Sequence, residues 1–244
     1  MIRKFFAALT FLTIFPAGRF VPRETDLAGA VAYFPWVGLL LGAVGYGTGR
    51  FLTLGVPMPP AAMCLVILAE LMTKALHLDG LADTADGFLS GRARERKLEI
   101  MRDSHIGTMG VFAIVAVLGL KFSFLASLTP QTLPWGAGLM LLGGRCGVTM
   151  LITMSRYARP GGLGEIWFRK RSCAGFGAAL LLPCLSYFVL GGRGAVFGPL
   201  LLLAMWLWSR LSDRMIGGAT GDTIGAAEEL SELVTLAAFC LMTI

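Results

Sequence analysis

The chain is short of charge. Asp, Glu, Lys and Arg together make up 15% of its 244 residues, where a soluble domain carries about 25%. A soluble fold of this composition needs an apolar core larger than so short a chain encloses. Histidine is scarce too, with two, and none of the five cysteines (Cys64, Cys146, Cys173, Cys184, Cys240) forms a CxxC pair. That pattern excludes a Cys/His zinc site and reads the thiols as small buried hydrophobes. No linker, low-complexity segment or internal repeat interrupts the chain, so residues 1–244 read as one domain. The basic residues are dispersed over several loops without interleaved aromatics, which excludes a nucleic-acid partner. Nor does a small-residue cleavage site follow the first apolar run, because Pro16 stands there.

Apolar sequence fills the space that charge leaves. Hydrophobic residues make up 56% of the chain, and the mean hydropathy is +0.73. They fall into runs of about 17–24 residues, the length that crosses a hydrocarbon core of about 30 Å. The expected fold is therefore an all-α, polytopic bundle in a lipid bilayer. Its seven spans lie near 27–49, 59–77, 108–128, 135–154, 173–191, 195–211 and 227–244. Residues 1–16 are too short to span and are expected as an N-terminal interfacial or partly inserted helix.

The loops between these spans alternate in character. Residues 1–26, 78–107, 155–172 and 210–226 hold 16 of the 21 basic residues, while the opposite side holds only Arg50 and Arg193. The positive-inside rule then places the N-terminus and the polar loops in the cytoplasm. Lys74, Lys121 and Arg145 fall inside expected spans.

The acids concentrate at one span end, in HLDGLADTADG (77–87). Asp79, Asp83 and Asp86 are spaced i, i+4, i+7, which places them near 0°, +40° and −20° at about 100° per helical residue. Carboxylates crowded on one face repel one another unless a cation is present. Magnesium suits them, since it takes hard oxygen ligands and completes its shell with water and substrate phosphates. A solvated helix end is the plainer alternative. On the same wheel His77 points away from the aspartates. Glu70 and Lys74, four residues apart, are expected to neutralise each other.

Four further sites carry polar chemistry. ERKLEIMRDSHIGTMG (95–110) is amphipathic, with Leu98, Met101 and Ile106 expected on a membrane interface. Its end brings Asp103 and Gly107 to the start of a span, where glycines and hydroxyls cradle phosphate, or where Ser104 or Thr108 simply caps the helix. Arg145 lies mid-span, where either a diphosphate ligand or a carboxylate of the aspartate cluster satisfies it. Arg156 and Arg159, in RYARPGGLGE, are phosphate-binding candidates in a loop that topology alone also makes basic. In GGATGDTIGAAEELSEL (217–233), Asp222, Glu229 and Glu232 either complete the metal site or hold an acceptor. Helix capping by Asp222 or Thr223 is the alternative.

HLDGLADTADG, EIMRDSHIGTMG, RYARPGGLG and GGATGDTIGAAEELSEL, in that order, closely resemble the cobalamin synthase family, the adenosylcobinamide-GDP ribazoletransferases; FPWVGLLLG (34–42) is similar to that family's first span. The resemblance covers nearly the whole chain. It implies a multi-pass enzyme of a bacterial or archaeal cell membrane. Such an enzyme joins adenosylcobinamide-GDP to α-ribazole or its 5′-phosphate, releasing GMP and requiring Mg²⁺. A homo-oligomer, or association with other cobalamin-assembly enzymes, is compatible with the sequence.

Asp83-Thr84-Ala85-Asp86-Gly87 also matches the DxxDG opening of the CDP-alcohol phosphotransferases. The rest of that pattern is absent: Ser90-Gly91 stands where a small residue and arginine are expected, and no second aspartate pair adjoins it.

The expected site therefore has Asp79, Asp83 and Asp86 as magnesium ligands, with Asp86 counted among the catalytic groups. Asp103 or Asp222 is the general base. Arg145, Arg156 and Arg159, with Gly107, Thr223 and Glu229, hold substrate. An intramembrane prenyltransferase would show a second DxxxD-type motif, and a transporter would show inverted repeats. The sequence has neither.

Overall fold

The computed structural model describes residues 1–16, 20–159, 164–168 and 173–243. Among these it contains no strand, only an isolated bridge between Tyr157 and Ala219. The helices are α1 (Ile2–Leu12), α2 (Glu24–Ala28), α3 (Phe34–Leu52), α4 (Met58–Thr73), α5 (Leu76–Leu89), α6 (Arg94–Ile100) and α7 (Thr108–Ser127). They continue with α8 (Leu133–Met154), α9 (Glu165–Phe168), α10 (Cys173–Ala178), α11 (Leu181–Leu190), α12 (Phe197–Ile216) and α13 (Gly221–Thr243).

Helix α8 is the axis of the bundle, buried from Leu133 to Ile152 apart from Trp135. Its small residues let neighbouring backbones close in, the usual way spans pack in lipid. A Cβ on Gly42 of α3 would stand 2.6 Å from the Gly138 carbonyl oxygen of α8, and one on Gly38 would stand 2.9 Å from Arg145 Cβ. On the other flank, Gly143, Gly144 and Gly147 admit Thr235, Glu228 and Ser231 of α13. By contrast, α7 turns Val111, Phe112, Val115 and Leu120 outward, as a lipid-facing helix does.

Four helical stretches are long and apolar enough to cross a membrane among the described residues, or five if the bent α4–α5 pair counts as one. The expected count of seven is not reached, for two physical reasons. Acids depress the hydropathy of α13, and residues 174–216 form one helical stretch by length. That stretch nevertheless carries a reversal: Gly191 has φ 60°, and a Cβ on Gly198 of α12 would meet Pro183 of α11 at 3.2–3.3 Å. Helix α1 packs through Ala7, Ala8, Leu9 and Leu12 while Ile2 stays exposed.

The expected span 59–77 is broken. Lys74 and Ala75 adopt left-handed φ values of 57° and 52°, and α5 leaves α4 at 90°. Such residues cost about 1–2 kcal/mol each, so the break is held by packing elsewhere. Gly80 of α5 supplies it: a Cβ there would stand 2.7 Å from the Asp222 carbonyl oxygen at the start of α13. The bend turns α5 away from the direction of α4 and carries the aspartates to its crossing with the start of α13. It also separates Lys74, which is exposed, from Glu70, which pairs instead with Lys121 (3.2 Å). Met101, expected on the membrane interface, is buried in a small cluster with Phe88 and Ile216, whereas Ile106 is exposed.

Candidate active site at the α5–α13 crossing

All three motif aspartates lie in the single helix α5, on the face that the spacing requires. Asp79 is exposed; Asp83 and Asp86 are half-buried. Asp83 feels the neighbourhood most. Burial, then the carboxylates of Asp79, Asp222 and Asp86, push its pKa up to about 7, with Arg159 opposing them.

Asp86 has a second task. Its carboxylate accepts the N–H of Gly107 (2.7 Å) and of Gly110 (2.9 Å), so it caps α7. A Cβ on Gly107 would stand 2.8 Å from Asp86 Cγ, which explains the glycine. The expected phosphate cradle at Gly107 is thus corrected: the anion at this helix start is Asp86.

Asp222 enters from the first turn of α13. The chain reaches it through Gly217 (φ 83°) and Gly218 (φ 152°). A Cβ on Gly218 would stand 2.6 Å from the Arg156 carbonyl oxygen. Two backbone hydrogen bonds stitch this segment to the one that follows α8: Ala158 N–H to the Ala219 carbonyl and Ala219 N–H to the Arg156 carbonyl, both 2.8 Å. The stitch sets Arg159 beside Asp222 (Nη1 to Oδ2, 3.4 Å), while Arg159 Nη2 also donates to the Leu98 carbonyl (3.2 Å). Burial raises the Asp222 pKa; Arg159 and a hydrogen bond from Thr220 pull it back.

Other expectations fall outside this cluster. Arg156 is exposed and lies 3.5 Å from Asp213. Thr223 is fully buried; its hydroxyl accepts the Thr220 N–H (2.8 Å), so it is a cap rather than a substrate ligand. Asp103 is exposed and held by His105 (2.7 Å), whose hydrogen bond lowers its pKa. Pro160 to Leu163, part of the RYARPGGLGE motif, lies outside the described residues.

Arg145 and Glu229 are corrected most plainly. They belong to a largely buried network between helices, not to the aspartate face. Lys121 of α7 holds Glu229 and Glu232 at 2.7 Å each, and Glu70 at 3.2 Å. Arg145 of α8 pairs with Glu228 and Glu232, and His77 Nδ1 lies 3.4 Å from Glu228. In sequence, Lys121 is only a charge inside an expected span, and Glu228 carries no expected role. A lone cation in one span and an acid-rich start to another were the available signal.

Among the described residues, no group of three or more His, Cys, Asp or Glu side chains is arranged to hold a metal ion. The donor set still fits magnesium. It is all-carboxylate, it leaves Asp83 surrounded by like charge, and such a site needs only one or two carboxylates when substrate phosphates complete the shell. A cavity of about 230 Å³ opens beside Asp79 and Asp222.

Residues 4–240 match the family described as cobalamin-5-phosphate synthase. The chain belongs to that family. Among its relatives, the adenosylcobinamide-GDP ribazoletransferases of Shigella boydii serotype 4 and Escherichia coli O127:H6 are each 38% identical over 255 residues, covering 98% of this chain and 99% of theirs. The protein of that name from Shigella flexneri is 37% identical over 250 residues, with the same coverage. No solved structure matches the chain. Membership covers all the elements that build the cluster, from α5 to the start of α13.

Proposed function

We propose that the chain is a membrane-embedded adenosylcobinamide-GDP ribazoletransferase whose reaction takes place at the α5–α13 crossing, facing the cytoplasm. The observation that carries the site is the gathering of Asp79, Asp83 and Asp222 with Arg159 where α5 meets the first turn of α13. Family membership supplies the reaction. A ribose hydroxyl of α-ribazole, or of its phosphate, forms a bond to the phosphorus attached to the cobinamide arm. The bond from that phosphorus to the GMP phosphate breaks, and GMP leaves.

Such transfers need charge neutralisation and in-line positioning more than covalent help. Magnesium, held by Asp79 and Asp83 with a remaining lone pair of Asp86, supplies neutralising charge at the diphosphate. Arg159 binds phosphate oxygens from the other side. Asp222 takes the hydroxyl proton: it stands in the cluster and its raised pKa suits a base, whereas Asp103 is tied to His105 outside it. The basic loops on this side, by the positive-inside rule, put the site where water-borne substrates arrive.

GMP release by the purified protein in liposomes tests this. Adenosylcobinamide-GDP and α-ribazole phosphate are supplied with and without Mg²⁺, beside Asp83→Asn. Release that needs both substrates, the ion and Asp83 is expected. A folded wild type that releases no GMP overturns the reading. Release that survives Asp83→Asn keeps the reaction and removes the metal assignment.

A further inference from the structure

The cavity beside the aspartates has a wall that phosphoryl chemistry does not use. Besides Asp79, Asp222 and His77, its lining includes Phe11 of α1, Phe34 of α3, Val148 of α8 and Trp167 of α9. Trp167 organises that wall. Its ring lies 4.7 Å from Phe11 at 77° and 5.7 Å from Phe34 at 81°, both edge-to-face contacts. The residue is only 6% exposed, yet its Nε1–H has no hydrogen-bond partner among the described residues. Indole N–H is a donor only, and buried donors are ordinarily paired.

Size and polarity limit the occupant. Drug-sized ligands fill pockets of about 300–1,000 Å³, so a cavity of about 230 Å³ takes one small ring system and excludes a corrin macrocycle. Guanine has several donors and acceptors to satisfy on its edges, and the aromatic wall offers a single donor. A benzimidazole has one free imine nitrogen and an otherwise apolar rim.

We propose that this cavity is the subsite for the planar fused azole base of the acceptor, with Trp167 Nε1–H donating to the imine nitrogen and Phe11 and Phe34 flanking the ring. The inference rests on the transferase reading above. One cavity then serves both ends of the acceptor, with base against aromatics and ribose toward Asp79 and Asp222. Helix α1, which carries no motif residue, gains a role in choosing which acceptor is used.

Steady-state kinetics of the full chain in liposomes tests it, with Trp167→Phe and with Val148→Phe, which fills the cavity while keeping the indole. Each is expected to raise KM for α-ribazole about tenfold and to leave KM for adenosylcobinamide-GDP within about twofold. Equilibrium dialysis of free 5,6-dimethylbenzimidazole reads the cavity without turnover; binding to wild type and its loss in Val148→Phe are expected. A rise in the donor's KM instead assigns the cavity to guanine and overturns the proposal. So does an unchanged acceptor KM in folded variants, or absence of dimethylbenzimidazole binding to wild type. Wild type that binds the base but releases no GMP sinks the transferase reading and the acceptor role with it, leaving only a base-binding cavity. Where either variant fails to accumulate, Phe11→Leu replaces it, with the same kinetic signature expected at smaller size.

Discussion

Two polar clusters in this chain use the same kinds of residue to opposite ends. In the interior, Glu70, Glu228, Glu229 and Glu232 each touch Lys121 or Arg145, and the groups are sealed between α4, α7, α8 and α13. At the α5–α13 crossing, Asp79, Asp83 and Asp222 crowd together with Arg159 beside Asp222, and Asp79 is exposed. A count of acids does not separate these clusters. What separates them is the charge left without a partner among the described residues, because such a remainder can recruit an ion or a phosphate. The interior network holds helices together, and the crossing cluster is left ready for a ligand.

The contrast can be broken from either side. Lys121→Met strips the interior carboxylates of their shared cation, and losing one partner of a buried pair costs about 3–5 kcal/mol. The expected result is a large drop in unfolding temperature in detergent, with GMP release falling only as folded protein is lost. Asp83→Asn does the reverse. Turnover is expected to fall about 10²–10³-fold, as when a single electrostatic contact to a transition state is removed, while the unfolding temperature holds or rises. Asp222→Asn removes the proposed base and is expected to cost about 10²-fold in kcat, with KM values little changed. Equal loss of stability in the interior and crossing variants would erase the distinction. Gly107→Ala has a smaller effect: it forces Asp86 off the α7 cap, worth about 1 kcal/mol, and is read as a small shift in unfolding temperature.

The pH dependence sharpens the contrast without mutation. The folded pKa of Asp83 is raised to about 7 from an ordinary 3.8. Its contribution to stability is then full below about pH 4 and is lost as pH climbs through 7. Metal-free protein is therefore expected to lose stability over that window. Added Mg²⁺ should restore it, most strongly above pH 7, where protons no longer compete for the carboxylate. Calorimetry across pH 5–8, with and without the ion, checks this; a restoration independent of pH would exclude Asp83 from the metal site.

Much of this arrangement is legible in the residues. Apolar runs at 27–49, 108–128 and 135–154 correspond to Ala30–Leu52, Thr108–Ser127 and Leu133–Met154, because length and hydropathy alone determine a span. The one-faced aspartates follow from i, i+4, i+7 spacing, which is local. The α4–α5 break is not legible, since Lys74-Ala75 carries no glycine or proline to announce a left-handed pair. Nor is the partner of Arg145, which comes from residues 83 and 87 positions away and is chosen by how α8 meets α13. Gly107 and Thr223 look like ligand-binding residues in sequence because capping a helix and cradling an anion use the same groups.

The right-angled turn between α4 and α5 also bears on what the bilayer must tolerate. A reaction centre sunk along a span would need a wet shaft through the lipid to admit a nucleotide, and such a shaft leaks protons. Here the acids ride on a helix laid across the end of the bundle, so bulky charged reactants can come and go along the surface. Below them, the glycine-lined seams of α8 stay shut. Proteoliposomes carrying the protein should hold a pH gradient as long as empty vesicles do, even during turnover.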